Sequence, residues 1–451
     1  MRRKMPYIVA IIAGLSGFLF GYDEGVIAGA LSSLRQAFTF SPWLEGCMTA
    51  AVPFGALFGS LAGGWLADRC GRRGALILAG TLFSIGAVVS SLAWDAASLT
   101  AARLAIGLAI GLAAVAAPLY ISENAPARHR GMLVSFYQLA ITLGILGAYI
   151  AGYGFEGSWR TMFAIGMVPG VILAIAMATM HDTPRWLMLR GRETEAHGAL
   201  IRNGLGAQAE AELEGIRRSI AATPATVRWS ALFSRRVLPA TTVAVGLFIL
   251  QQLSGINAVI YYAPLVFHEA GFGSHGAQLL ATIGIGVVNV AMTLVSMALI
   301  DRIGRRRMLY IGFAGAALSL AVIAGAAASN LPWLNAVAFA SLLAYIAAFA
   351  ISIGPLPWLM MSEIFPIDVR PLGMGLASIA NWAFNALVVF AFPALLGMVG
   401  LTGVFAGFAI ACLVGVIFTW ALVPETTGAS LEDIEARLSS GERLRDMTRV
   451  A

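Results

Sequence analysis

Residues 46–94 read GCMTAAVPFGALFGSLAGGWLADRCGRRGALILAGTLFSIGAVVSSLAW. Two uncharged stretches, 46–67 and 74–94, flank the cluster Asp68-Arg69-Cys70-Gly71-Arg72-Arg73. Each stretch has about the 20 residues that a helix needs to cross the hydrocarbon core of a bilayer. The charges between them are too costly to bury in lipid. The segment therefore predicts a helical hairpin: a span, a short polar turn, and a second span.

The same alternation continues outward in both directions. Further uncharged runs lie at 104–122, 131–155, 161–180, 237–267, 276–300, 308–362 and 371–424. The last two are long enough for two spans each, and 7–31 adds a first span that contains Asp23 and Glu24. The expected spans are 7–31, 44–66, 74–94, 99–122, 131–154, 161–180, 238–267, 276–300, 308–328, 335–361, 372–397 and 400–423. Bulk composition agrees: 59% of residues are apolar and 12% charged, with a mean hydropathy of +0.83. A soluble domain carries about 25% charged residues. The fold class is an all-α integral membrane protein with twelve transmembrane helices.

Basic residues orient the spans. The chain has 29 Lys plus Arg, and all except Arg35, Arg103 and Arg160 fall in 2–4, 69–73, 128–130, 185–236, 302–307, 370 and 437–449. With both termini placed in the cytoplasm, these segments all lie on the inner side, as the positive-inside rule requires. The sequence pI near 9.5 thus describes an inner membrane face rather than a nucleic-acid surface. The three cysteines, Cys47, Cys70 and Cys412, form neither a disulfide framework nor a metal-ligand spacing. Met1-Arg2-Arg3-Lys4 precedes an apolar run too long for a signal peptide, so the first span is expected to stay uncleaved.

The longest charged stretch divides the spans six and six. The expected organisation is an N-terminal half at 1–181, a cytoplasmic linker at 182–236, a C-terminal half at 237–424 and a tail at 425–451. Within the linker, Leu205, Leu213 and Ile216 alternate with Glu210, Glu212, Glu214, Arg217 and Arg218, which predicts short amphipathic helices. The halves repeat each other. Asp68 to Arg73 after the second span recurs as Asp301-Arg302-Ile303-Gly304-Arg305-Arg306 after the eighth. Glu123 and Arg130 after the fourth span recur as Glu363 and Arg370 after the tenth. Paired six-helix halves with a site between them are a common architecture of secondary transporters. Acids at helix ends and arginines on neighbouring loops can pair when one face is closed and part when it opens. Asp68, Arg72, Glu123, Arg130, Asp301, Arg305, Glu363 and Arg370 are therefore candidates for a cytoplasmic gate.

The two loop motifs resemble the signature of the major facilitator superfamily. Further segments resemble its sugar porter branch: Gly21-Tyr22-Asp23, Pro184-Arg185-Trp186-Leu187, Gln251-Gln252-Leu253-Ser254-Gly255-Ile256-Asn257, Gly354-Pro355-Leu356-Pro357-Trp358 and Pro424-Glu425-Thr426-Thr427-Gly428. One departure is His181-Asp182-Thr183, where that branch usually has Pro-Glu-Ser. The resemblance implies monosaccharide transport by alternating access at the cell membrane, with a proton as coupling ion in its symporters and none in its facilitators. It implies no other cofactor, and the expected partners are a hexose or pentose, a proton and the bilayer, with the chain acting as a monomer.

Charges within spans are costly and usually functional. Asp23, Glu24 and Arg103 are the ones well inside helices here. Glycines 17, 21, 25 and 29 form a four-spaced stripe on the first span, which permits close helix packing. At about 100° per residue, Asp23 points away from Gly21, and Glu24 lies nearer the stripe. Burial disfavours a charged carboxylate and a nearby arginine favours it. Asp23 and Arg103 are thus candidates for proton coupling, a role the resemblance also implies for them; a static buried pair is the alternative. The role of Glu24 stays open. A sugar needs neutral groups that donate and accept. Gln138, Gln251, Gln252, Asn257, Asn289, Asn381 and Asn385 supply them, with Trp358 and Trp382 to cover the ring and Phe20 at its edge; the resemblance matches each to a binding position. Tyr261 and Tyr262 are placed to close over a bound sugar, or to pack. Trp43, Trp65, Trp94, Trp159, Trp333 and Trp420 read as interfacial anchors. Gly255, Pro264, Gly354, Pro355 and Pro357 mark breaks in the seventh and tenth spans, which membranes tolerate only within protein or beside a cavity. The chain shows no nucleophile–base set, Walker loop or metal cluster, so an enzyme is not expected. A facilitator or polyol carrier is the alternative within transport, and a membrane sugar sensor the alternative outside it.

Overall fold

The first helix, α1 (Met5–Ala37), is followed by α2 (Pro42–Ser91), α3 (Ala96–Asn124), α4 (Arg130–Gly154) and α5 (Trp159–Thr179). Short helices α6 (Pro184–Leu189), α7 (Glu193–Leu200) and α8 (Ala209–Ala222) come next. The chain then continues through α9 (Leu238–Leu253), α10 (Ile256–Glu269), α11 (His275–Ile303), α12 (Arg305–Ala328), α13 (Leu334–Ala348), α14 (Leu356–Ile364) and α15 (Arg370–Leu422). This computed structural model describes residues 5–125, 130–222, 228–329, 332–366 and 368–427. Among them there is no strand.

Ten helical runs are long and apolar enough to cross a bilayer. The two longest are each a pair of spans. Gly71, at φ 84 and ψ 158, breaks α2, and Gly400, at φ 64 and ψ −175, breaks α15. Both conformations lie where only glycine is comfortable. The result is twelve spans, with α9 and α10 forming the seventh and α13, a π turn at Phe349–Ile353 and α14 forming the tenth. Gly304, at φ 100 and ψ 146, separates α11 from α12 as Gly71 separates the halves of α2. The loop repeat seen in the sequence is therefore also a repeat of backbone geometry.

The chain forms two compact units. One comprises residues 1–26, 51–148 and 157–225, and the other 27–50, 149–156 and 226–451. In the first, the glycine stripe does the packing expected of it. A Cβ on Gly25 would meet the Ala148 side chain at 2.7 Å and the Ile145 carbonyl at 2.8 Å, and one on Gly21 would enter the Ile141 carbonyl. Bare backbone lets α1 and α4 approach this closely. In the second unit, Gly29 lies against Gly152. The linker helices have a small core of their own: Leu187, Ala196, Ala199, Leu200, Ala209 and Leu213. Trp186 and Arg190 tie them down by donating to the Asp68 carbonyl at 2.7 and 2.9 Å. Of the tryptophans read as anchors, Trp43, Trp65, Trp94, Trp333 and Trp420 are exposed. Trp159 is not. It is buried, edge-on to Phe163 and 4.1 Å from the Arg160 guanidinium, so packing replaces the anchoring role expected of it.

Candidate functional site

In the first unit, α1 presents Asp23 and α3 presents Arg103, 2% and 0% exposed. Arg103 faces Asp23 through two parallel contacts, Nη1 to Oδ1 and Nη2 to Oδ2, both 3.5 Å. Charge-assisted hydrogen bonds normally close to about 2.7–2.9 Å. The fork is therefore aligned but loose. Arg103 also lies 5.8 Å from the Phe163 ring, and Tyr22 Oη, next to Asp23, donates to the Met162 carbonyl at 2.8 Å. Glu24 is as buried as Asp23. Gln138 on α4 and Phe20 on α1 are half-buried.

In the second unit, a chain of amides links α9, α10 and α15. Asn257 Nδ2 donates to Gln252 Oε1 at 2.7 Å, and Gln252 Nε2 donates to Asn381 Oδ1 at 2.7 Å. Gln251 turns its own amide to the Ile353 and Gly354 carbonyls, 2.7 and 3.0 Å away. Asn257 owes its position to Gly255, whose φ of 88° turns the chain between α9 and α10. Asn385 lies one turn beyond Asn381, 1% exposed, and its Oδ1 has no donor among the described residues. Trp382 is buried beside Asn381 in sequence, and Asn289 is buried on α11. Trp358 on α14 is half-buried, edge-on to Phe248 at 4.7 Å. Tyr261 and Tyr262 are both fully buried, and Tyr262 stacks on Phe392 at 5.0 Å. Such amides offer donors and acceptors from opposite ends, which suits a polyhydroxyl solute.

The repeated charges form two networks, one per unit. In the first, Arg72 Nη1 reaches Asp68 Oδ1 at 2.9 Å and Nη2 reaches Glu123 Oε1 at 3.2 Å. Thr183 donates to Glu123 Oε2 at 2.5 Å, and Asp182 Oδ1 accepts the backbone amide of Arg72 at 3.0 Å. In the second, Arg305 Nη2 reaches Glu363 Oε1 at 3.1 Å, and Thr426 donates to Glu363 Oε2 at 2.5 Å. Glu425 accepts the amides of Arg305 and Arg306 at 3.0 and 3.3 Å. Arg370 donates to the Phe365 carbonyl at 3.1–3.2 Å. The side chains of Arg130 and Asp301 lie outside the described residues. Burial pushes the Asp182 carboxyl up, and the amides of Thr183, Arg73 and Arg72 pull it back.

Asp182-Thr183 and Glu425-Thr426 thus do the same work in the two halves, a pairing the sequence reading missed. The signal was an acid followed by threonine after the sixth and the twelfth span. Also unforeseen is the ion pair of Arg35 with the buried Glu45, at 2.7 and 2.8 Å.

The model of a family described as "Sugar (and other) transporter" matches residues 9–438. A D-xylose transporter of Levilactobacillus brevis is 36% identical, over 99% of each chain. The galactose-proton symporter of Escherichia coli K12 is 35% identical, over 99% of this chain and 97% of its own. Among solved structures, the xylose transporter XylE from E. coli, in a partially occluded inward-open conformation, superposes with a TM-score of 0.84. It is 31% identical, over 94% of this chain and 99% of its own.

Proposed function

The chain belongs to the sugar porter family of the major facilitator superfamily, and from that premise we propose that it is a monosaccharide–proton symporter working by alternating access. It is a multi-pass protein of the plasma membrane, and the arginine-rich loops support a reading with both termini in the cytoplasm. The observation that carries the symport reading is the buried Asp23–Arg103 fork inside the first unit. A carboxylate with a loose partner has two stable conditions: ion-paired, or neutral with a bound proton. A permanently uncharged side chain at this position has only one. Passage between the two conditions ties proton uptake to the movement of α1 against α3.

In the second unit the sugar is held by Gln252, Asn257 and Asn381, with Gln251, Asn289 and Asn385 as further polar contacts. Trp358, Trp382 and Tyr261 cover its apolar faces. Hydroxyl groups exchange for the amide–amide bonds, so no buried polar group is stranded as the sugar leaves. The networks centred on Arg72 and Arg305 form the cytoplasmic gate. The relatives' names point to xylose, galactose or arabinose as substrate class. The test is uptake of labelled hexoses, pentoses and polyols into vesicles, with and without an imposed proton gradient. Accumulation of one or more monosaccharides that a protonophore abolishes is expected. Equilibration without accumulation would mean a facilitator.

A further inference from the structure

The seventh, tenth and eleventh spans, all in the second unit, carry prolines: Pro264 and Pro393 lie inside α10 and α15, Pro355 caps α14 and Pro357 stands in its first turn. Proline has no N–H, so in α register the carbonyl one turn before it loses its partner. The four carbonyls concerned are those of Ile260, Ile351, Ile353 and Val389. Each one receives a side-chain donor from a different span. Tyr149 Oη donates to Ile260 O at 2.9 Å, and Ser296 Oγ to Ile351 O at 2.8 Å. Gln251 Nε2 donates to Ile353 O at 2.7 Å, and Tyr262 Oη to Val389 O at 3.3 Å. All four donors are buried, none more than 3% exposed. Pro53, Pro118 and Pro169 also lie inside helices. No side-chain donor is found for the carbonyls they free, among the described residues. Among the described residues the arrangement is thus found at the broken seventh and tenth spans and at the eleventh.

A backbone amide is fixed to its helix, and its bond fails when the helix bends at that point. A side-chain donor sits on a rotatable arm and follows the carbonyl through the bend. A buried carbonyl without any donor is costly, so these four points are where the unit bends without that loss. Since each donor belongs to another span, displacement of one helix is also handed to the next. Resting on the transport reading above, we propose that Tyr149, Gln251, Tyr262 and Ser296 are positioning residues of the transport cycle. They act as pivots that stand in for the amides the prolines remove.

The proposal makes a specific demand on paired variants. Tyr149→Phe keeps the ring and removes the donor. Pro264→Ala returns an amide to Ile260 O, after which that carbonyl keeps a donor even when Tyr149 loses its hydroxyl. The assay is exchange of labelled D-xylose, galactose and arabinose across proteoliposomes with equal sugar on both sides. Tyr149→Phe should slow exchange about tenfold, equivalent to about 1.4 kcal/mol, with half-saturation within about twofold of wild type. Added to Pro264→Ala, it should slow exchange by less than about twofold further, the non-additivity expected of residues acting on one group. Where Pro264→Ala yields no monodisperse protein, Ser296→Ala with Pro355→Ala makes the same comparison. Wild-type rates in Tyr149→Phe, or effects that multiply in the double variant, overturn the pivots and leave transport standing. A wild-type protein that exchanges none of the three sugars overturns the transport reading, and the pivots with it.

Discussion

Asp23 and Arg103 meet at 3.5 Å through two atoms each, and the residue-scale consequences follow from that fork. Asp23→Asn keeps the size and polarity of the side chain but fixes it in the uncharged condition. The variant should bind sugar and exchange it between pools of equal concentration. It should not concentrate sugar, and sugar addition should no longer alkalinise the medium. Protonophore-sensitive accumulation in this variant would move the coupling role to another carboxylate, with Glu24 first in line. Gln252 is the second residue of consequence, because it bonds both Asn257 and Asn381. Gln252→Ala leaves both without that partner, a loss of about 1–3 kcal/mol for a buried polar group. Sugar affinity in detergent, read by calorimetric titration, should fall at least about tenfold. Unchanged affinity would place the sugar elsewhere. Charges inside apolar spans were legible because nothing else in those stretches is charged. The donors Tyr149 and Ser296 were not, because each serves a backbone oxygen freed by a proline in another span. No spacing in the sequence links the two.

At the scale of elements, the breaks matter more than the helices. α2 runs to 50 residues and is two spans only because Gly71 adopts a conformation closed to other residues. A Cβ at Gly71 would collide with the Asp182 carboxylate, the group that accepts the amides of Arg72 and Arg73. Glycine, acid and arginine are thus one construction, repeated around Gly304 and Glu425. The sequence showed the glycine and arginine parts, since they recur as a motif. The acid arrives from a distant turn, and the repeat was disguised because His181 stands where Pro424 stands in the other half. Glu363 is the keystone of the second network, bonded to both Arg305 and Thr426. Glu363→Gln removes the charge and keeps the shape. Cysteines introduced at the cytoplasmic helix ends should become more reactive to a membrane-impermeant thiol reagent in this variant, as they should in Arg370→Ala, reporting a shift toward the inward-open state. Reactivity that does not move in either variant would reduce these residues to solvated anchors.

For the molecule as a whole, twelve spans and their two repeated sets were readable from the distribution of charge and the lengths of the uncharged runs. Lipid excludes charged groups so strictly that their positions delimit the helices. How the chain partitions into compact units was not readable in this way. Residues 27–50 and 149–156 belong with the second unit, and hydropathy does not register which neighbours a segment packs against. The whole-molecule prediction concerns charge movement. A monosaccharide is neutral, so a symport cycle that carries one proton carries one net positive charge. A potential of 100 mV, negative inside, then supplies about 2.3 kcal/mol per cycle, enough for about fortyfold accumulation at a tenfold ratio per 1.4 kcal/mol. In vesicles with equal pH on both sides, a potassium diffusion potential of that sign should by itself drive sugar uphill, and reversing its sign should empty the vesicles. Asp23→Asn vesicles should show neither effect, while their exchange at equal sugar persists. A wild type that equilibrates sugar identically at either sign of potential has no charged step to couple, and the buried fork would then be a structural pair inside a facilitator.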